Sequence, residues 1–198
     1  MKKKKKKEQP VDRRIQKTKQ LLSNALVALI IQKGYEAVTI QDIIDKANVG
    51  RSTFYAHFEN KEQLLLSGHV TFKKLLTESV ASGKTKSRSV DINFLYLYQH
   101  MKEQHHLAKA LIGKPGGEIV TEHLHAIFAH RIEEYFGKDV PQKTERVMFL
   151  FSVHAAASAM VSLIVRWVEH DMPFTPEAMA EKSETLLLKM FGVTSPLS

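Results

Sequence analysis

The chain contains no cysteine, so neither a disulfide nor a thiolate metal site can operate, which fits a reducing cytosol. No stretch alternates apolar and polar residues as a half-buried strand does, and no internal repeat recurs. A Walker loop, a G-x-S-x-G elbow, a dinucleotide glycine pattern and an H-E-x-x-H pair are all missing, which leaves catalysis without positive support and points to no cofactor. Long apolar runs are scarce as well. Residues 21–31, "LLSNALVALII", follow a basic start as an export signal does, but Glu8, Asp12 and several cations intervene and no small-residue cleavage site follows. Residues 147–165, "VMFLFSVHAAASAMVSLIV", are uncharged and nearly long enough to cross a bilayer. Four polar residues and many alanines make them a poor lone span, so a buried helix is expected here and no membrane partner.

What is present reads as a soluble globular protein of one or two modest domains: 198 residues, 43% hydrophobic and 25% charged. The net charge of +8 is unevenly placed. Residues 1–66 carry 14 Lys and Arg against 7 Asp and Glu, whereas the remaining residues are nearly balanced. A positive field confined to the N-terminal third suits a nucleic-acid surface, and would also suit an anionic membrane.

Helical periodicity dominates the rest. Ile15, Thr18, Leu22, Ala25, Leu26 and Leu29 share one face, and Gly34 is a natural stop. Thr39 with Asp42 forms a capping box for a second helix whose apolar face is Ile40, Ile43, Ile44 and Ala47. Asn48-Val49-Gly50 is a turn, a third helix covers 51–58, and Asn60 caps a fourth with Gln63. Residues 82–89, "SGKTKSRS", form the best linker; beyond it helices are expected over 90–104, 105–112, 118–136, 142–170 and 176–191. The chain therefore reads as all-α, with roughly nine helices.

Two helices joined by a short turn containing glycine match the helix-turn-helix plan, here spanning 39–58. At the start of its second helix, Arg51, Ser52 and Thr53 offer donors and a methyl group to base edges, and Arg can pair bidentately with guanine. Tyr55 and His57 lie farther along and can reach phosphate or a thymine methyl; the alternative readings are a packing residue for Tyr55 and a plain surface residue for His57. Phe54 and Phe58, four apart, belong to the buried side. Thr39 and Gln41 open the other helix, whose free N–H groups suit a phosphate, and Lys61 suits a phosphate too. The lysine run 2–7 is either a solvated tail or an arm along the DNA.

"GYEAVTIQDIIDKANVGRSTFYAHFENKEQLL" resembles the DNA-binding segment of TetR-family transcriptional regulators. The resemblance rests on Gly34-Tyr35, Thr39, Thr53-Phe54-Tyr55, His57-Phe58, Asn60-Lys61-Glu62 and Leu64, within residues 11–70. Gly50 departs from the serine usual at that cap, a change costing a few tenths of a kcal/mol. The resemblance implies a disordered basic arm over 1–10, a three-helix DNA-binding domain over 11–66, and a larger helical regulatory and dimerisation domain over 67–198. It implies a cytoplasmic, sequence-specific regulator that is not an enzyme: a ligand-responsive homodimeric repressor on a palindromic double-stranded operator. In that family the last two long helices form the dimer bundle. Ser152, Ala155, Ala156 and Ala159 form a small-residue stripe that permits close helix approach, with Leu187 and Phe191 beside it; the alternative is that such alanines fill an intrachain core. A small-molecule effector is expected among Phe72, Tyr98, Met101, His105, Phe128, Phe149, His154 and Trp167. The competing reading is a zinc sensor using the histidines, nine of which follow Leu66, but their spacing forms no ligand set and no metal site is expected.

Overall fold

Leu22, Ala25, Leu26, Leu29 and Ile30 recur at three- and four-residue spacing, and all are buried along one face of the first helix. The computed structural model describes residues 13–67, 92–139 and 144–193. In it α1 spans Arg13–Lys33 and ends at Gly34, whose φ of 79° an L-residue adopts only with strain. The N-terminal helices continue with α2 (Ile40–Ala47), α3 (Arg51–Tyr55) and α4 (61–67). Their shared core is Leu22, Leu26, Ile30, Ile43, Phe54 and Leu64, all at 1% exposure or less.

Local chemistry fixes these ends. Thr39 Oγ1 accepts from the Asp42 N–H at 3.1 Å while Asp42 accepts from the Thr39 N–H at 2.7 Å, the expected capping box. Asn48, in the left-handed region at φ 51°, ends α2. Asn60 Oδ1 accepts from the Gln63 N–H at 2.7 Å and starts α4. The third helix is shorter than the expected 51–58: it closes at Tyr55, and Phe58 reaches the core from the following turn.

The C-terminal part comprises α5 (Phe94–Glu103), α6 (His105–Leu111), α7 (Glu118–Phe136), α8 (Thr144–Glu169) and α9 (Pro176–Met190), with a 3-10 turn at Gly137–Asp139. Helix α7 lies along α8, and α5 lies along α9. Tyr98 joins three of them: its hydroxyl is 2.9 Å from Ser183 Oγ on α9, and its ring meets Trp167 of α8 edge-on at 5.1 Å. That buried pair satisfies both hydroxyls away from water. No strand occurs among the described residues, so the all-α class stands. The lysine run, Phe72 and the linker 82–89 lie outside the described residues.

Helix α8 corrects one expectation. It is long and apolar enough to cross a membrane, yet it is not a buried helix. Val153, Ala157, Met160, Ile164 and Trp167 face the core, while Val147, Met148 and Phe151 are 54%, 63% and 69% exposed. An unbroken apolar run leaves both sides of a helix similar in composition, so sequence periodicity does not reveal which side packs.

The two parts touch through α1 and α6. The loop after α6 lies on the turn after α1, where Gly116, at φ 82°, leaves no room for a Cβ against the Tyr35 ring.

Candidate nucleic-acid interface

Burial of Ile43, Ile44 and Ala47 on α2 and of Phe54 on α3 turns the opposite sides of both helices outward. Gln41, Arg51, Ser52 and Tyr55 are exposed, as is Thr39, while Thr53 and His57 are half-buried. Arg51 is the hub. Its guanidinium lies 5.7 Å from the centre of the Tyr55 ring and donates to Gln41 Oε1 at 3.4 Å. Gln41 in turn donates to Asp45 Oδ1 at 2.8 Å. A planar cation, a phenol and an amide thus share one outward surface across two helices, set by a glycine-capped turn. These groups can read base edges and bond phosphate. Phe58 and Tyr55 flank Phe54 at ring distances of 6.1 and 5.4 Å, so the exposed tyrosine stands on a fixed aromatic base.

Asp42 is held well below the usual carboxylate range, first by the Lys33 ammonium 2.8 Å away and then by hydrogen bonds from Thr39. Thr39 therefore gives its hydroxyl to a cap as well as standing at the start of α2.

Lys61 sits differently from expectation. Its ammonium points back into the protein, donating to the carbonyl oxygens of Val38 at 2.9 Å and Tyr35 at 3.0 Å. It also lies 4.3 Å from the Tyr35 ring centre. Burial, with the charges of Glu62 and Glu36, pushes the Tyr35 phenol up to about 12. Lys61 thus ties α4 to the turn between α1 and α2, a role invisible in the sequence because its partners lie over twenty residues away.

The residues expected around an effector are spread over several C-terminal helices, and one of them, Phe72, lies outside the described residues. Tyr98, Met101 and Phe128 are buried core residues. Phe149 packs on Phe191, the His105 ring lies against His106, and His154 is exposed with its ring stacked on His125 at 5.4 Å. Trp167 borders a cavity between the end of α8 and the start of α9. The dimer stripe also divides. Ser152 and Ala155 are exposed, Ala159 is half-buried, and Phe191 stacks on Phe136 at 4.2 Å. Ala156 and Leu187 are fully buried in the chain's own core, so they are corrected from interface to core. The outward residues that sequence reasoning missed are Val147, Met148 and Phe151. Among the described residues no three His, Asp or Glu side chains gather to hold a metal, so the zinc-sensor reading finds no ligand set there.

Residues 22–67 match the model of the bacterial regulatory proteins of the tetR family, and residues 90–189 match that of a transcriptional regulator C-terminal region. The chain belongs to the TetR family of transcriptional regulators. The first match contains the Arg51–Tyr55 surface and the second contains α5 to α9. This TetR-family chain is 43% identical over 60 residues to the uncharacterized HTH-type transcriptional regulator YxbF of Bacillus subtilis, covering 30% of this chain and 16% of that one. It is 37% identical over 70 residues to the probable acrEF/envCD operon repressor of Escherichia coli K12, covering 34% of this chain and 32% of that one. The chain thus spans less than a third of either curated relative. A solved TetR regulator from Streptococcus agalactiae 2603V is 27% identical with a TM-score of 0.56, covering 89% of this chain and 96% of that one.

Proposed function

We propose that this TetR-family protein is a cytoplasmic, ligand-responsive repressor that binds a palindromic operator as a homodimer and catalyses no reaction. The observation carrying this reading is the outward Gln41–Arg51–Tyr55 surface beside Ser52 and Thr53, on a helix pair whose opposite side is fully packed. Such a helix enters the major groove end-on, and two copies read half-sites about 34–36 Å apart. Thr39, Gln41, Tyr55 and His57 serve the phosphates on either side, and Lys61 acts from behind by fixing the turn on which α2 stands. Dimerisation is supported by Val147, Met148 and Phe151, a cluster of large apolar side chains left in water beside the small Ser152 and Ala155. The name of the acrEF/envCD relative supports repression as the mode of control.

Footprinting on the DNA upstream of the protein's own coding region tests the reading. A protected palindrome with affinity falling steeply in salt is expected; equal binding to random duplex of the same length overturns sequence-specific recognition.

A further inference from the structure

The outward surface of α2 and α3 carries an acid where electrostatics alone would place none. Asp45 stands one turn after Gln41 on α2, and both are exposed. The other carboxylate of these two helices, Asp42, is used by the capping box and by Lys33. Asp45 instead accepts from the Gln41 amide nitrogen at 2.8 Å. A negative charge on a phosphate-facing surface weakens binding to every sequence alike. Asp45 therefore needs a reason other than affinity.

The reason lies in the order of donors and acceptors. An ionised carboxylate can only accept a hydrogen bond, and a guanidinium can only donate one. Gln41 lies between the two: its Nε2 donates to Asp45 Oδ1, and its Oε1 accepts from Arg51 Nη1 at 3.4 Å. The reverse orientation of the amide would set its oxygen against the carboxylate and its N–H groups against the guanidinium. Asp45 thus selects the orientation in which Gln41 can hold Arg51. The Tyr55 ring, its centre 5.7 Å from the guanidinium, is the second support. The bond to Gln41 leaves Arg51 further N–H groups for guanine O6 and N7. We propose that Asp45 is a positioning residue for sequence recognition: through Gln41 it fixes Arg51 before DNA arrives, and so sets preference at the base pair that Arg51 reads, without contacting DNA itself. The inference rests on the reading of Arg51 as a base contact. A guanidinium already held in place loses less side-chain freedom on binding, which favours the sequence that it fits.

The full-length protein is used to enrich sequences from a random double-stranded pool; the enriched duplex, its singly substituted versions and random duplex are then the probes. Asp45→Ala should keep α2 intact, since the position is exposed and alanine is the best helix former. It is expected to bind random duplex about threefold more tightly, having lost a repelling charge. Its preference for the enriched duplex should fall about tenfold, at the base pairs that Arg51→Ala also relaxes. Asp45→Asn keeps an accepting oxygen, so it should share the tighter random binding and retain most of the preference. In the Arg51→Ala background, Asp45→Ala should change no base preference. Parent-like preferences in Asp45→Ala reduce the Gln41–Asp45 bond to an ordinary pair on a helix surface and overturn the inference. So does a change of preference that persists without Arg51, which makes Asp45 a direct base contact. A uniform loss on enriched and random duplex assigns Asp45 a structural role alone, with the same consequence. A parent protein that enriches no sequence overturns specific recognition and this inference with it, whereas the other outcomes leave specific recognition standing.

Discussion

The ammonium of Lys61 donates a hydrogen bond to the carbonyl oxygen of Val38 at 2.9 Å, and so closes the turn between α1 and α2 from the side of α4. A charged donor shared among backbone carbonyls in a half-buried setting stabilises by more than a neutral bond does. Lys61→Met is expected to lower stability by about 2 kcal/mol in denaturant titration. Because the charge faces the protein, the salt dependence of operator binding should keep its slope. A slope reduced by about one with stability unchanged would return this side chain to the phosphates.

Acid should weaken the same corner of the molecule. The folded Asp42 carboxyl titrates below its unfolded value of about 4, so its stabilisation is complete above that pH and is lost as pH falls through the folded value. Asp42→Asn is expected to flatten this acid limb, seen as urea midpoints that vary less between about pH 5 and 2 than those of the parent. Thr39→Ala, which removes the other half of the box, should cost about 1 kcal/mol at neutral pH.

Arg51→Ala should cost about 1–3 kcal/mol in operator binding and relax preference at particular base pairs, leaving affinity for random duplex nearly unchanged. Competition binding with singly substituted operators measures this. A uniform loss across specific and random DNA would reduce Arg51 to a phosphate contact.

The features that were legible in the sequence are those written within a few residues. The Thr39–Asp42 box, the turn at Asn48 and the burial of Phe54 and Phe58 each follow from spacing alone. What was hidden depends on distant partners. Lys61 meets carbonyls 23 and 26 residues away, and nothing in "NKEQLL" announces them. The orientation of α8 was hidden for another reason. In "VMFLFSVHAAASAMVSLIV" nearly every position is apolar or small, so no polar stripe marks the outer side, and Ala156 could not be told from Ala155.

Two glycines separate backbone strain from contact. Gly34 and Gly116 both have φ near +80°, but a Cβ at Gly34 meets nothing, whereas one at Gly116 overlaps Tyr35 and comes within 2.7 Å of Glu36 Oε1. Gly34→Ala should therefore cost about 1 kcal/mol from conformation alone, and Gly116→Ala about 1–2 kcal/mol more. Gly116→Ala should also disturb operator binding, because the displaced turn carries α2. Equal losses in the two variants would mean that the α6 loop does not bear on Tyr35 in solution.

The dimer provides the sharpest test of what the structure changes. From sequence, Ala156 and Ala159 were equivalent members of a small-residue stripe; in the fold Ala156 is fully buried and Phe151 is 69% exposed. A charge at Ala156 would have to enter the core of its own chain without a partner, and Ala156→Glu should unfold the C-terminal helices rather than merely separate subunits. Phe151→Glu changes only a side chain already in water, so its monomer should keep its helical content and lose little stability. If the outer side of α8 is the interface, the desolvated charge should oppose association, and sedimentation should show monomers with operator affinity lost to at least the extent that one half-site is weaker than two. A Phe151→Glu protein that sediments as a stable dimer would place the interface on another surface.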